Sequence, residues 1–476
     1  MTVVLVHPFT KVPPFGIMSI ANVLEHGGVP VRIVDYSSED VPDEKILSDC
    51  EGACLIGISA YTMPMLRQAV RITKLLCARM PQTFLVWGGV HATLFPEKSL
   101  QEFGIDAVVA NEGEMTMLEL SKLVLRNNNP SFEELSMIKG LWIRKGEEFF
   151  YTGRREWLKV LPFYSWPLLA DPLKYVYVNL VTRRKSILLV ASRGCPYDCS
   201  FCYVNEMFGR FWRGKTPAGL VDEMAYLRDW LDVTHFDFLD DLPFGGSRKL
   251  MFEFCKLLEK TGFTWSCDYR VNMVDEELLC VMKRSGCRYI YYGVESGSEN
   301  VLRRVRKCIT PEQALRAVNL THEAGIACMA GFIGGFPGET VEDLGLTVSL
   351  ARKMKATKLR LTKYVPYPGG DLWEDALKAG LMIPTLTVDM AGYGDYSSGD
   401  LGLSGVSEED FMKAKRIIES KNFFRAFRFA FRHGDFGFLP YFLLDSLPKS
   451  FRARIVSFLR FVTFPLKKFL VGGIGG

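Results

Sequence analysis

The sequence predicts an α/β protein built from two successive α/β units and a helical, basic C-terminal region. Residues 1–125 alternate short apolar runs with amphipathic segments, which is typical of a doubly wound parallel sheet. Residues 186–380 repeat this alternation in about six strand–helix units, fewer than the eight of a closed barrel. Residues 421–470 contain ten basic side chains and thirteen phenylalanines but only two acidic residues. The predicted boundaries leave 126–185 as a linker and 381–476 as a C-terminal cover and basic, aromatic, helical tail.

Length and composition are those of a folded protein. The 476 residues suffice for two or three domains, and 48% of them are hydrophobic against 24% charged. A net charge of +4 is too small to indicate nucleic-acid binding. Twelve cysteines in so long a chain, three of them clustered, indicate a reducing compartment. Without a visible signal peptide or an apolar run of roughly 18–20 residues, we expect a cytoplasmic protein.

Five apolar runs of the first unit are predicted strands. They are residues 3–6, 31–35, 54–59, 84–89 and 107–109. A sheet of this flavodoxin-like kind binds its ligands at the carboxyl ends of its strands, so the expected binding loops directly follow these runs. The adjacent glycines Gly88 and Gly89 would let the backbone approach a ligand closely.

The linker at 126–185 begins with the polar run 127–130, which breaks the α/β pattern. Residues 140–144 and 148–151 predict a small β-hairpin. The aromatic stretch after it carries no recognisable chemistry.

The second unit contains six predicted strands. They are residues 187–190, 236–239, 264–267, 289–292, 329–333 and 358–361. Polar residues follow several of them directly, among them Asp240, Asp241, Asp268, Arg270 and Glu295. Because reactive residues of such barrels lie at the carboxyl ends of the strands, this clustering indicates a functional site.

Three cysteines with the spacing C-x3-C-x2-C follow the first of these strands: Cys195, Cys199 and Cys202. Spacing this tight predicts three thiolates around one point, as a metal or iron–sulfur cluster site needs. Three ligands leave one corner of a four-iron cluster open to another ligand. Two alternatives remain open from spacing alone, namely a structural zinc site lacking its fourth ligand and a disulfide with a spare thiol.

The stretch 193–203 resembles the signature of the radical S-adenosylmethionine (SAM) superfamily, in which an aromatic residue precedes the last cysteine, as Phe201 does here. Residues 293–298, 334–340 and 366–369 extend the resemblance to the core of cobalamin-linked radical SAM enzymes. The resemblance implies a [4Fe-4S] cluster on the three cysteines. Its open iron would bind SAM, and an electron from the cluster would cleave SAM to a 5′-deoxyadenosyl radical.

Side-chain chemistry suggests how SAM would be held. Arg270 suits the SAM carboxylate because a guanidinium can pair with it through two hydrogen bonds, and Glu295 suits the ribose or the ammonium group. The family's Gly-Gly-Glu motif is replaced by residues 238–241, Phe-Leu-Asp-Asp. The predicted SAM-binding residues are Phe201, Asp240, Asp241, Arg270, Glu295, Gly334 and Gly335.

The first unit resembles the cobalamin-binding domain that precedes many radical SAM cores. Related cobalamin domains carry an Asp-x-His-x-x-Gly loop whose histidine binds cobalt from below. If Gly16 is the glycine of that loop, the histidine position is Pro13, so that the lower ligand is absent. For His91, an alternative is a polar ring that satisfies the backbone of its own loop. The predicted cobalamin-binding residues are Pro13, Gly16, Ser59, Gly88, Gly89, His91 and Glu112.

Two further features lie outside these motifs. Cys267 is the best placed of the other cysteines to act as a catalytic thiol, either as hydrogen donor or as methyl acceptor. The basic and phenylalanine-rich tail predicts peripheral contact with the inner face of an anionic membrane. The alternative for the tail is a helical cap that buries its phenylalanines against the barrel. Residues 389–407, rich in glycine and serine, are predicted to form a mobile cover.

Taken with the resemblance, these features predict an enzyme with a [4Fe-4S] cluster, SAM and cobalamin as cofactors. It would methylate an unactivated carbon of a lipid-like or other hydrophobic, membrane-partitioned substrate. We expect an external electron donor of flavodoxin or ferredoxin type and no nucleic-acid partner. The first alternative is a radical oxidative cyclase or another radical rearrangement acting on a tetrapyrrole or isoprenoid. The alternative of another class is a non-catalytic corrinoid-binding sensor or carrier.

Overall fold

In the computed structural model, the chain is described over residues 2–61, 64–179, 181–366, 369–378 and 404–434. The described residues divide into two units. The first comprises residues up to 174 together with 203–209, and the second comprises the remainder. The predicted cover and tail therefore fall outside the described residues, except for residues 404–434.

The first unit is built on five parallel strands that confirm the predicted ones. They are β1 (Thr2–His7), β2 (Val31–Asp35), β3 (Ala53–Ser59), β4 (Phe84–Gly88) and β5 (Ala107–Val109). Their order is β2-β1-β3-β4-β5, and the four central residues of β1 are at most 2% exposed, because helices cover both faces of the sheet. The order of the strands reverses between β1 and β3. A sheet of this kind binds its ligand in the crevice at that point.

Seven helices accompany this sheet. They are α1 (Phe15–His26), α2 (Asp43–Cys50), α3 (Pro64–Arg79), α4 (Val90–Leu94), α5 (Pro96–Phe103), α6 (Glu114–Arg126) and α7 (Phe132–Ser136). Helices α1 and α6 are joined by a buried hydrogen bond of 2.6 Å from the Ser19 hydroxyl to the Glu114 carboxylate. This bond fixes α1 directly after the loop that leaves β1.

The predicted hairpin forms from β6 (Leu141–Lys145) and β7 (Glu148–Tyr151) and extends the first sheet, antiparallel to β5. Most of the stretch assigned to a linker thus adds to the first unit. Alternation alone did not show this, because hairpin strands do not reveal from sequence which sheet they join. Residues 203–209, with the short helix α8 (Val204–Phe208), also belong to the first unit. The Asn111 side-chain amide donates to the Glu206 carbonyl there at 2.7 Å.

The second unit contains a curled half-barrel with the six predicted parallel strands. Its strands and a separate pair are β8 (Tyr177–Val178), β9 (Lys185–Leu189), β10 (Ser192–Arg193), β11 (Arg213–Gly214), β12 (His235–Phe238), β13 (Thr264–Tyr269), β14 (Cys287–Glu295), β15 (Ala327–Gly334) and β16 (Lys358–Lys363). The order is β16-β15-β14-β13-β12-β9-β8, and β10 pairs only with β11. Strand β8 was not predicted and lies antiparallel to β9 at the edge of the sheet.

The carboxylate of Asp237 on β12 connects β8 to the sheet. It accepts hydrogen bonds from the ring of His235 and the amide of Asn179, each at 3.0 Å, and from the hydroxyl of Tyr177. Burial raises the pKa of Asp237, but the charge of His235 and these hydrogen bonds outweigh it and lower the pKa overall. A buried carboxylate with this many donors holds the two-residue strand in place.

Nine described helices belong to the second unit. They are α9 (Pro217–Leu231), α10 (Arg248–Leu258), α11 (Glu276–Arg284), α12 (Glu299–Arg304), α13 (Pro311–Glu323), α14 (Val341–Lys353), α15 (Asp371–Lys378), α16 (Glu408–Glu419) and α17 (Asn422–His433). Capping boxes at Thr310 and Thr340 start α13 and α14, which flank β15 in sequence. Among the described helices, none is long and apolar enough to cross a bilayer.

Candidate functional site

The three motif cysteines lie on one loop that follows β9 and β10. The loop begins at Gly194, whose φ of 81° a side chain would disfavour. It turns tightly where the Cys202 N–H donates to the Cys199 carbonyl at 3.1 Å. Cys195, Cys199 and Cys202 are all partly exposed, and none of them forms a disulfide bond.

Two neighbouring segments hold this loop through its backbone. The Ser200 N–H donates to the Val305 carbonyl at 3.1 Å, and the Arg306 side chain donates to the Asp198 carbonyl at 2.9 Å. From the other side, the Leu372 N–H donates to the Ser200 carbonyl at 3.2 Å. A Cβ at Gly370 would come within 2.7 Å of that same carbonyl, so this approach requires glycine. The loop backbone is thereby fixed by the residues that follow α12 and begin α15.

The thiols do not converge as their spacing predicted. Within the described ranges, no three Cys, His, Asp or Glu side chains are gathered closely enough to hold a metal ion. Each thiol can rotate about χ1 while the backbone stays in place, so backbone spacing does not determine where the sulfurs point. The donor set nevertheless fits an iron–sulfur cluster: three thiols on one braced, partly exposed loop. Burial raises the pKa of Cys195, and the nearby charges of Asp241 and Cys199 act in the same direction.

Phe201, placed by sequence at the SAM site, is partly buried between the loop and an apolar cluster. Its ring centroid lies 5.6 Å from that of Phe336. The buried members of this cluster are Val301, Val305, Phe336, Tyr364 and Leu372. The ring therefore anchors the cysteine loop to this apolar cluster, and its predicted contact with SAM stays a prediction.

Asp240 is almost fully buried, and its carboxylate accepts hydrogen bonds from other residues of the protein. It accepts from the Ala191 N–H at 3.0 Å and from the Ser192 hydroxyl, at the start of the cysteine loop. Burial raises its pKa to about 6 despite these bonds. Its geometry is that of a positioning residue, and its predicted contact with SAM stays a prediction.

Asp241 and Asp268 lie at the carboxyl ends of adjacent strands and are solvent-exposed. Surrounding protein still desolvates them. Burial, followed by the charge of Asp240, raises the pKa of Asp241 to about 6. Burial, followed by the charge of Asp241, raises the pKa of Asp268 to about 7. Three carboxyl groups thus share one end of the half-barrel and disfavour each other's ionisation.

Arg270 is buried, and its guanidinium contacts other residues of the protein. Its guanidinium lies 3.5 Å from the centroid of the Tyr197 ring in the cysteine loop. It also donates to the Lys307 carbonyl at 2.5 Å and, more weakly, to Asn272 at 3.4 Å. Arg270 therefore connects the cysteine loop to the segment after α12, and it retains further N–H donors for an anionic ligand.

Glu295 and Lys307 form a buried ion pair of 2.7 Å, with side chains 8% and 11% exposed. Glu295 adopts a left-handed backbone conformation, φ 67°, and Arg306 and Cys308 on either side of Lys307 do the same at 53° and 55°. Non-glycine residues rarely occupy this region, and those that do cluster at functional sites. The Lys307 ammonium also lies 5.9 Å from the centroid of the Phe201 ring.

Gly334 and Gly335 lie at the end of β15, as expected. Gly335 has φ 85°, and its N–H donates to the buried carboxylate of Glu339, which also accepts from the Phe336 N–H at 3.1 Å. Burial raises the pKa of Glu339 to about 7. The second oxygen of Glu339 is buried without a hydrogen-bond partner. The glycine turn is thus closed on Glu339, which the sequence did not single out.

Sequence reasoning also missed Arg306 and Lys307. They sit in the run Arg303-Arg304-Val305-Arg306-Lys307, which resembles a solvated basic helix end. Two properties distinguish this segment from an ordinary exposed helix end: the left-handed backbone of Arg306 and Cys308, and the burial of Lys307. Neither property can be read from amino-acid composition.

Cys267 is not placed to act as a catalytic thiol. It is 3% exposed and lies on the face of β13 opposite Ser266 and Asp268. Burial, followed by its interaction with Cys287 on β14, raises its pKa far above that of an ordinary thiol. This burial argues against a catalytic role for Cys267, which stays a prediction.

In the first unit, the predicted cobalamin loops lie at the carboxyl edge of the sheet. Gly89 requires glycine, because its φ is 96° and a Cβ would come within 2.9 Å of the Ala60 carbonyl oxygen. Gly16, in contrast, lies in the first turn of α1, and a Cβ there would meet nothing within 4 Å. Pro13 is buried before α1, while Ser59 and Gly88 end β3 and β4 side by side.

His91 and Glu112 are turned toward the protein. The His91 ring is fully buried, 5.2 Å from the Phe95 ring, and burial lowers its pKa to about 4. Neither ring nitrogen has a hydrogen-bond partner, so the ring does not satisfy its loop backbone as the alternative proposed. Glu112 accepts from the Leu158 N–H at 3.0 Å. His7 at the end of β1, where the first of the expected binding loops begins, is likewise buried with both nitrogens unpartnered, and burial lowers its pKa to about 3.

Apolar side chains are exposed at the crevice between β1 and β3. Val12 in the loop after β1 is 40% exposed, and Tyr61 after β3 is 42% exposed. Exposed apolar groups beside a glycine that requires close backbone approach fit a broad, largely apolar ligand such as a corrin ring.

Comparison with known proteins gives the same division of the chain. Residues 189–351 match the radical SAM superfamily, and residues 1–121 match the B12-binding domain. An uncharacterized methyltransferase of Pyrococcus horikoshii is 31% identical over 79% of this chain and 80% of its own length. The anaerobic magnesium-protoporphyrin IX monomethyl ester cyclase of Rubrivivax gelatinosus is 29% identical over 76% of this chain and 66% of its own.

A solved structure shares the fold. It is that of the radical S-adenosylmethionine methyltransferase TsrM from Kitasatospora setae with cobalamin and a [4Fe-4S] cluster bound. The TM-score is 0.71 at 19% identity, covering 87% of this chain and 91% of that one.

Proposed function

Because the chain belongs to the radical SAM superfamily and carries a B12-binding domain, we propose that it methylates an unactivated carbon of an apolar, membrane-partitioned substrate. The superfamily's cofactors are a [4Fe-4S] cluster and SAM, and the B12-binding domain adds cobalamin. When bound, these groups supply one-electron cleavage of SAM and carriage of a methyl group. A flavodoxin- or ferredoxin-type protein is the electron donor we expect.

The observation that carries the proposal is the cysteine loop braced at the strand ends of the half-barrel. Cys195, Cys199 and Cys202 would hold the cluster. Arg270 lies against this loop and keeps N–H donors for the SAM carboxylate. Glu295 is held by Lys307 at 2.7 Å, so its orientation is set before a ligand arrives.

The substrate class is supported by the accessible face of the half-barrel. On β14, Tyr291 is partly exposed between the fully buried Ile290 and Tyr292, whereas Tyr289 packs against the cluster of Ala327 and Phe429. Met329 of β15 is partly exposed as well, and Ile333 packs against the cluster of Phe336 and Tyr364. Aromatic and aliphatic groups of this kind suit a hydrophobic substrate better than a sugar or a nucleotide.

A second candidate is oxidative ring closure on a tetrapyrrole-like substrate, supported by the 29% identity to the Rubrivivax cyclase. The two reactions differ in the fate of the SAM methyl group, which appears in the product only when the enzyme methylates. Supplying SAM with a deuterated methyl group to membrane-lipid extracts therefore separates them by product mass.

Anaerobic reconstitution tests the reaction class directly. With iron, sulfide and a reductant, the protein should bind about four irons per chain and release 5′-deoxyadenosine from SAM. Cys199→Ala should abolish both, whereas Cys280→Ala, which removes an exposed thiol outside the motif, should preserve both. Iron binding that survives Cys199→Ala, or no 5′-deoxyadenosine from the loaded protein, would contradict the proposal.

A further inference from the structure

Helix α17 has two faces of different character. Its inner face is buried against the half-barrel through Ala426, Phe429 and Ala430, with Ala327 of β15 in the same cluster. Arg425 extends inward and donates to the carbonyls of Met354 at 2.6 Å and Ala351 at 3.2 Å. These contacts fix the rotation of the helix about its axis and so determine which residues face outward.

The outward face is a row of phenylalanines. Phe424, Phe427 and Phe431 are 69%, 41% and 62% exposed, at a spacing that places them on one side of a helix. The rings of Phe427 and Phe431 lie 4.6 Å apart. Single exposed apolar residues need no explanation, but three contiguous aromatic side chains on a docked helix indicate an interaction surface.

Basic residues flank this row. Arg428 and Arg432 are exposed beside the phenylalanines and line a shallow depression with them. The twelve residues of α17 contain no acidic side chain. The helix itself therefore carries no negative side chain, and Glu323 of α13, whose pKa is lowered by Lys355 first and by Arg432 among the other nearby charges, is the neighbouring carboxylate. The positive charge of the helix complements an anionic surface.

We propose that the outer face of α17 docks on an anionic phospholipid bilayer. The phenylalanine rings would enter the boundary between headgroups and acyl chains, while Arg428 and Arg432 pair with lipid phosphates. A nucleic-acid duplex would also match the charge, but its outer surface of phosphates and sugars gives three clustered phenylalanines no apolar environment. The proposal is independent of the reaction the protein performs, because binding to lipid is measured without SAM.

Vesicle flotation with the full chain tests the proposal. The wild type should bind vesicles of phosphatidylcholine with a minority of phosphatidylglycerol at least about tenfold better than pure phosphatidylcholine, and added salt should weaken the binding. The triple variant Phe424→Ser, Phe427→Ser, Phe431→Ser should lower the partition coefficient by at least about tenfold. Arg428→Glu with Arg432→Glu should abolish the preference for the anionic vesicles.

Matched controls separate local effects from general ones. Lys249→Glu with Lys256→Glu makes the same charge change on exposed positions of α10, and Phe163→Ser removes an exposed phenylalanine of the first unit. Both controls should partition as the wild type does.

Two outcomes would overturn the proposal. The first is unchanged vesicle binding by the triple phenylalanine variant; if its Tm also falls, another part of the chain covers the face. The second is a change in oligomeric state alone, which would assign the face to a second copy.

Discussion

Replacing Lys307 with methionine should destabilise the second unit more than any substitution of an exposed lysine. Methionine keeps the length and apolar stem of the side chain but removes the charge that pairs with Glu295. The carboxylate is 8% exposed, so water cannot replace the lost partner. The loss should therefore appear as an unpaired buried charge rather than as a cavity.

The expected size follows from the geometry. At 2.7 Å and an effective dielectric constant of about 20, two unit charges attract by about 6 kcal/mol before the cost of desolvation. Removing one partner of such a buried pair typically costs about 3–5 kcal/mol. For a unit of this size that corresponds to a fall in Tm of roughly 6–12 °C at the lower limit.

A double-mutant cycle distinguishes the ion pair from a mere loss of packing. Glu295→Gln combined with Lys307→Met leaves no buried charge, so the double variant should recover at least about 2 kcal/mol relative to Lys307→Met. Thermal unfolding followed by near-UV circular dichroism reports the transition. Additive effects of the two substitutions, or a Lys307→Met variant within about 0.5 kcal/mol of wild type, would refute the reasoning.

The remaining predictions concern the loop, the carboxyl groups and the buried thiol. Arg306→Ala removes the donor to the Asp198 carbonyl and should speed iron loss to a chelator roughly tenfold. Arg303→Ala is the control and should not, because the Arg303 side chain donates to Asn300 on its own helix. Because folding raises the pKa of Asp268 to about 7, the folded state binds more protons than the unfolded chain between about pH 4 and 7, and stability falls as the pH rises through this window. Asp268→Asn should thus raise Tm at pH 8 but not at pH 4, and an equal gain at both would contradict the assignment. Cys267→Ala should cost roughly 1 kcal/mol of stability and leave 5′-deoxyadenosine release intact; loss of that release in a folded variant would restore Cys267 as a catalytic candidate.

Most strands could be predicted from the sequence because each depends on the pattern of apolar residues within a short segment. Every described parallel strand coincides with a predicted run. In the first sheet these runs are largely apolar because helices cover both faces, whereas the strands of the half-barrel mix apolar and polar residues, such as Asp237 and Asp268. Strand β8 was not predicted, because it has only two residues and is held in place by the hydrogen bond from Tyr177 to the Asp237 carboxylate. The membership of the β6–β7 hairpin was likewise set by long-range pairing with β5.

The sequence predicted the type of site but not the hydrogen bonds and backbone conformations that position its residues. Asp240 and Arg270 were correctly expected at strand ends. The sequence did not reveal that Asp240 accepts a hydrogen bond from Ala191, just before the cysteine loop, or that Arg270 donates one to the Lys307 carbonyl. Lys307 was invisible because its importance comes from burial and from a left-handed turn around it. Such features depend on backbone conformation, which a single sequence does not display at non-glycine positions.

The pleat of β13 has a consequence for the proposed reaction, in which a radical removes a hydrogen atom from carbon. A hydrogen on sulfur is abstracted more readily than one on carbon, so any thiol within reach would compete with the substrate and inactivate the protein. Cys255, Cys267, Cys287 and Cys328 are all at most 3% exposed, and Cys267 lies on the face of β13 away from Asp268. Burial therefore keeps these four readily oxidised thiols away from the ends of the strands, where the cysteine loop lies.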